Sequence, residues 1–195
     1  MREFFHAFFK GERLLNERKK SRHMKKKIYN EDNIEDNEID EIVTRVKAFI
    51  INSKKEILFA NSGGGIQLIG GHVENGETLE DTIKREVHEE TGIILQSKNI
   101  SSPFFEIKHY TKNYKGTDKN RISNVVYYIV KTDEMPNLKN MSLTDEEIKN
   151  QFSYAYSPIN QFEVLLKSCL ESNIEINVVI AKELLVVFEE LKRIL

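Results

Sequence analysis

Residues Gly71–Ile93 read GHVENGETLEDTIKREVHEETGI, and this stretch decides the fold. Thr78 is a good N-cap, and Asp81 three residues on can reach back as a capping-box acid, so a helix starts there. At about 100° per residue, Glu86, Glu89 and Glu90 fall within an arc of about 100°. Like charges at i, i+3 and i+4 cost an isolated helix roughly 0.2–0.5 kcal/mol per pair. Ile83 and Val87 lie beside this arc, so the glutamates sit at the edge of the core-facing stripe. At about 6 Å and an effective dielectric of about 20, each carboxylate pair costs on the order of 3 kcal/mol. Arg85 offsets part of this, with Asp81 and Glu89 four residues either side. One guanidinium cannot neutralise the whole set, whereas a divalent cation with oxygen ligands can. A run of acids usually marks a solvated face, so the arc alone does not decide between the two readings.

The surrounding residues decide it. Gly71, Glu77, Arg85, Glu86, Glu89, Glu90 and Gly92, with aliphatic Val87 and Ile93, fill every fixed position of a G-x5-E-x7-R-E-U-x-E-E-x-G-U frame, where U is aliphatic. In this the chain resembles the Nudix hydrolases. A chance match at a given start is on the order of one in a hundred million. The resemblance implies an α/β/α sandwich around a mixed β-sheet, and metal-dependent cleavage of a pyrophosphate bond in a nucleoside diphosphate linked to another moiety. It implies Mg²⁺ or Mn²⁺ as cofactor, with Glu86, Glu89 and Glu90 as ligands, the Gly70 carbonyl as a further ligand and Glu77 acting through water. Arg85 would orient the acidic cluster. For the general base it offers Glu89 or a glutamate on a later loop, for which Glu147 is the choice here and Glu146 the next. Most relatives carry proline where this chain has Ile69, a departure outside the frame.

Composition sets outer bounds. The chain has 195 residues, enough for one domain with an appendage, and a net charge of −2 that gives no overall nucleic-acid footprint. Its one cysteine, Cys169, excludes an internal disulfide framework and fits a reducing cytosol. No apolar run approaches the roughly 18 residues of a membrane span, and no secretory apolar region is present. The expectation is a cytoplasmic protein, with homodimerisation left open.

Residues 1–41 read as an extension, basic and then acidic, before a hydrolase domain over residues 42–195. Residues 1–27 hold ten Lys/Arg against Glu3, Glu12 and Glu17, with Phe4, Phe5, Phe8 and Phe9 at helical spacing. This suits a surface arm for membrane or nucleic acid, a short packed helix, or a leader that is not native, since Met24 begins a plausible alternative start. Residues 31–41 are acidic and polar, a linker or partly helical lead-in.

Strand patterns follow over Val43–Ile51, Ile57–Ala60, Ile66–Ile69, Phe104–Tyr110 and Asn124–Lys131. Gly63-Gly64-Gly65 lacks the Gly-Lys-Ser/Thr of a P-loop and reads as a hairpin loop. Leu143–Phe152 reads as a turn or short helix, and Pro158–Leu170 and Asn177–Leu195 as helices, the last amphipathic. No histidine has a partner at metal-ligand spacing.

Substrate choice lies outside the frame. Some family members that cleave dinucleoside polyphosphates carry a tyrosine about seventeen residues past it, where this chain has Tyr110. Arg121, with Lys112, Lys115 and Lys119, could line an approach for phosphate or simply solvate a loop. These features lean towards a nucleoside triphosphate or dinucleoside polyphosphate. A non-catalytic nucleotide-binding regulator and an RNA 5′-end pyrophosphohydrolase recruited by the basic arm are the alternatives. The first has no need of three close carboxylates.

Overall fold

The computed structural model describes residues 24–63 and 65–195, so the aromatic stripe, most of the basic arm and Gly64 lie outside the described residues. Seven strands form one mixed sheet: β1 (Lys25–Tyr29), β2 (Glu41–Ile51), β3 (Glu56–Ser62), β4 (Gly65–Gln67), β5 (Phe105–Thr111), β6 (Arg121–Lys131) and β7 (Ser153–Pro158). Their order is β1-β5-β6-β2-β3-β4, with β7 paired to β3. The β1–β5 and β2–β6 pairs are parallel and the others antiparallel.

Strand alternation on β2 builds two cores. Val46, Ala48 and Ile50 point to one face, where Ile83 and Val87 of helix α1 (Leu79–Thr91) cover them together with Leu58, Ile69 and Val126. Phe49 and Ile51 point to the other face, covered by Phe162 and Leu166 of α3 (Ile159–Ser168) and by Leu184, Val187, Phe188 and Leu191 of α4 (Glu175–Ile194). The short helix α2 (Asp145–Lys149) lies between β6 and β7. A sheet buried on both faces needs near-continuous apolar runs in its central strands, and β2 supplies one from Ala48 to Ile51. The architecture is the expected α/β/α sandwich.

Two strands escaped the sequence reading. The expected extension 1–41 is divided, because Lys25–Tyr29 pairs in register with Phe105–His109 as an edge strand of the sheet. Three consecutive lysines mask this strand, and Lys26 answers the buried Glu106 of β5 at 2.8 Å. The polar Ser153–Pro158 is also a strand, so the helix expected from Pro158 starts at Ile159. Tyr154 and Tyr156 pack on the α1-side core, which explains how so polar a run is retained.

Thr78 caps α1 as expected. Its hydroxyl accepts from the Asp81 N–H at 3.1 Å, and Asp81 accepts from the Thr78 N–H at 3.2 Å. Gly92, at φ 71°, ends the helix with its N–H on the His88 carbonyl. Removing the cap leaves amide donors unpaired, so Thr78→Ala is expected to cost about 1 kcal/mol. Urea unfolding at neutral pH measures it, and an unchanged midpoint would show the cap to be idle.

Candidate active site

The loop before α1 folds back over the helix it leads into. Gly76 takes φ 87°, a left-handed conformation that turns the chain just ahead of Glu77. Glu77 then faces Arg85 in a two-point pair, Nε to Oε1 at 2.7 Å and Nη2 to Oε2 at 3.0 Å. The same carboxylate accepts from the Glu74 N–H at 3.1 Å and the Thr82 hydroxyl at 2.9 Å. These bonds, Arg85 first, hold the Glu77 pKa down at about 2. Arg85 Nη1 also donates to Glu86 at 2.8 Å and to Glu89 at 3.0 Å, and Nη2 to the His72 carbonyl at 2.9 Å. The guanidinium thus ties loop and helix together. Its expected partner Asp81 is a correction, because the Thr78 cap occupies that carboxylate and Glu77 takes the place assigned to it.

Glu86, Glu89 and Glu90 lie on one side of α1, graded in exposure: the Glu86 and Glu89 side chains are 13% and 38% exposed, and residue Glu90 7%. Glu90 Oε1 accepts from the Gly70 N–H at 3.3 Å. Glu86 lies against Gly71, where a Cβ would fall 2.3 Å from its Oε1. Burial pushes Glu86 upward, with Arg85 opposing. Burial pushes Glu90 further, to about 7, against the pull of Lys47.

Lys47 was not singled out by sequence. It stands on β2 between Val46 and Ala48, on the face that carries Phe49. Its ammonium donates to the Leu68 carbonyl at 2.9 Å and also to the Gly70 carbonyl. Burial pushes its pKa down, while Glu90 and Glu86 push it back up. Arg45, two residues earlier on the same face, donates from Nε to His72 Nε2 at 2.9 Å. His72 is thereby an acceptor, and burial, Arg45, Arg121 and Lys47 together depress its pKa. A basic group of Arg45, Lys47 and Arg121 therefore adjoins the acidic side of α1.

The remaining expected residues are placed unequally. Arg121 is buried, 4.2 Å over the Tyr114 ring and 3.9 Å from Glu41, with its Nε lacking a hydrogen-bond partner. Through its field on His72 it belongs to the basic group. Tyr110 does not join the cluster, because its hydroxyl donates to Asp36 at 2.8 Å. Lys112, Lys115 and Lys119 are exposed. Glu147 accepts from the Thr144 N–H at 2.7 Å and hydroxyl at 2.9 Å, capping α2, yet its charge is felt at Glu90. The Glu146 side chain lies outside the described residues. The loop carrying α2 reaches this site because its N–H groups cap the end of α1: Asn137 on the Thr91 carbonyl and Ser142 on the Glu89 carbonyl, both at 2.8 Å.

The donor chemistry suits a hard divalent cation, being carboxylate oxygens with the Gly70 carbonyl beside them. A carboxylate as buried as Glu90 also needs positive charge near it. Among the described residues, however, no three carboxylate, histidine or cysteine groups converge closely enough to hold a metal ion. Arg85 draws Glu86 and Glu89 to itself, and Lys47 holds the Gly70 carbonyl. A divalent cation held here would have to displace these two cations.

A mixed sheet with a glutamate-bearing helix packed on one face defines a class, and comparison identifies it. The model of the NUDIX domain matches residues 41–166, more than half of the chain. The chain belongs to the Nudix family, whose members hydrolyse pyrophosphate bonds in nucleoside diphosphate derivatives. No curated protein matches it. Among solved structures it resembles the MutT protein of Methanosarcina mazei Go1, at 24% identity over 62% of this chain and 79% of that one, TM-score 0.44. It also resembles the MutT protein of Bacillus halodurans, at 19% identity over 63% and 72%, TM-score 0.46. The ORF135 protein of E. coli is similar at 18% identity over 64% and 79%, TM-score 0.44.

Proposed function

We propose that the chain is a Mg²⁺- or Mn²⁺-dependent pyrophosphohydrolase of nucleoside diphosphate derivatives. The observation that carries this reading is the Glu86–Glu89–Glu90 side of α1 beneath the Gly70–Gly71 backbone, with a basic group alongside. A divalent cation held there would neutralise phosphate oxygens and lower the pKa of the attacking water. Glu90 and Glu86, with the Gly70 carbonyl, are the ligands best shielded from solvent, and Glu89 is the most exposed of the three glutamates. That exposure suits Glu89 to accept the proton of a water attacking phosphorus, as the P–O anhydride bond breaks and the leaving phosphate takes the bond's electrons. Arg85 keeps its acids in register, with Glu77 as its anchor. Arg45 and Arg121 would supply the positive charge that holds phosphate oxygens.

Glu147 is the alternative base, since its field reaches Glu90 and its own loop docks on α1. Tyr110 is bonded to Asp36, so the proposed substrate class leans towards nucleoside triphosphates ahead of dinucleoside polyphosphates. The test is a panel of normal and modified nucleoside triphosphates, dinucleoside polyphosphates, NADH, nucleotide sugars and capped RNA, each with Mg²⁺ or Mn²⁺. At least one is expected to release monophosphate or pyrophosphate, with Glu89→Gln lowering kcat about 10²–10⁴-fold. Unchanged turnover in Glu89→Gln would remove Glu89 as base and pass the role to Glu147. Saturable nucleotide binding with no turnover across the panel would favour a non-catalytic regulator.

A further inference from the structure

We propose that Lys47 is a tethered cation that competes with the divalent metal for the Gly70 carbonyl and its neighbouring carboxylates, and so sets the metal affinity of the site. The inference rests on the metal-dependent reading above. Its basis is a side chain in an unexpected place. The positions of β2 on this face continue as Phe49 and Ile51 into the α3–α4 core, and Lys47 interrupts that run one step before Phe49.

The ammonium does not turn out to solvent, as a long flexible lysine on an edge could. It bonds the carbonyls of Leu68 and Gly70. Gly70 offers its N–H to Glu90 at 3.3 Å, so one peptide segment joins the ammonium to the acidic side of α1. An ammonium and a divalent ion on one carbonyl oxygen would stand within a few ångströms and repel strongly in a partly buried site. Metal entry then has to push Lys47 off Gly70. The chain thus carries a counter-charge that keeps the acidic cluster assembled before loading, at a cost in metal affinity.

The test is titration of the full chain with Mn²⁺, with free ion read by electron paramagnetic resonance. Lys47→Met keeps the bulk of the side chain and removes its charge, and it is expected to bind Mn²⁺ about tenfold more tightly than wild type, or more. Lys47→Arg is expected to stay within about threefold of wild type, since the charge remains. Equal or weaker binding by Lys47→Met would overturn the inference. Should Lys47→Met fail to fold, the wild-type Nζ resonance, assigned by its loss in Lys47→Arg, is expected to shift on saturation with Mg²⁺. A resonance that stays still would be equally fatal. Absence of Mn²⁺ binding by the wild type would overturn the metal-dependent reading itself. A wild type that binds Mn²⁺, a Glu90→Gln that does not, and a Lys47→Met equal to wild type would sink the Lys47 inference alone.

Discussion

Glu90→Gln should lose activity by about 10³-fold while making the protein more stable in EDTA at pH 8, both from one cause. Glu90 is 7% exposed, and burial raises its pKa from 4.5 to about 7. An acid whose folded-state pKa is raised binds its proton more tightly when folded, so stability falls as pH rises from about 4.5 to about 7. The gap corresponds to at most about 3 kcal/mol, and the lost pull on Lys47 subtracts from what glutamine regains. Thermal unfolding in EDTA from pH 4 to pH 8 should therefore slope downwards in wild type and run flatter in Glu90→Gln. Metal binding has to displace the same proton, so wild-type Mn²⁺ affinity is expected to climb through about pH 7. An active Glu90→Gln, or one less stable than wild type at pH 8 in EDTA, would contradict the assignment. A residue that weakens the fold where it serves the chemistry is the pattern expected of functional sites.

How far the sequence carried the site depends on how local each interaction is. Thr78, Asp81, Gly76 and Gly92 shape α1 through contacts within a few residues, and the Thr78–Asp81 capping box forms as spacing alone predicts. The clustering of Glu86, Glu89 and Glu90 is helical geometry and was equally legible. Arg85 shows where locality ends. Its i±4 neighbours were visible in the sequence, but its principal partner Glu77 lies eight residues back across a loop.

The basic group was wholly non-local. Arg45 and Lys47 read as the polar half of an alternating strand, which puts them on the solvent side. The one signal against this was period: counting in twos from Lys47 reaches Phe49 and Ile51, both in the core, so the face carrying the charges is a buried one. Arg121 joins them because β6 runs parallel to β2 over its whole length, a pairing no local pattern encodes. Strands β1 and β7 were missed because their polar residues are matched by partners distant in sequence. Tyr110 is the reverse case, a residue picked by spacing from the frame and found bonded to Asp36 instead.

The two glycines at the start of the frame should respond to alanine in opposite ways. Gly70 sits at φ +132°, and a Cβ there would lie 2.3 Å from the Val46 carbonyl oxygen and 3.1 Å from the Lys47 Cα. Both are backbone of the central strand, pinned by the Val46 N–H on the Gly71 carbonyl and the Ala48 N–H on the Ile69 carbonyl, each at 2.9 Å. Neither can retreat without breaking the ladder, and the dihedral is one that residues with a Cβ rarely adopt. Gly70→Ala is expected to cost about 3 kcal/mol or more. Gly71 differs, because the atoms nearest its added Cβ would be those of the Glu86 carboxylate, at 2.3–2.6 Å, the far end of a flexible side chain. Glu86 can swing away, so Gly71→Ala is expected to cost under about 1 kcal/mol in unfolding. Swinging away carries Glu86 off the acidic cluster, and kcat with Mg²⁺ should fall about 10²-fold, the scale of a misplaced catalytic group. Urea unfolding in EDTA and turnover on the same two variants separate the effects. A Gly71→Ala protein that keeps full activity would mean Glu86 is no ligand, whatever its place in the frame.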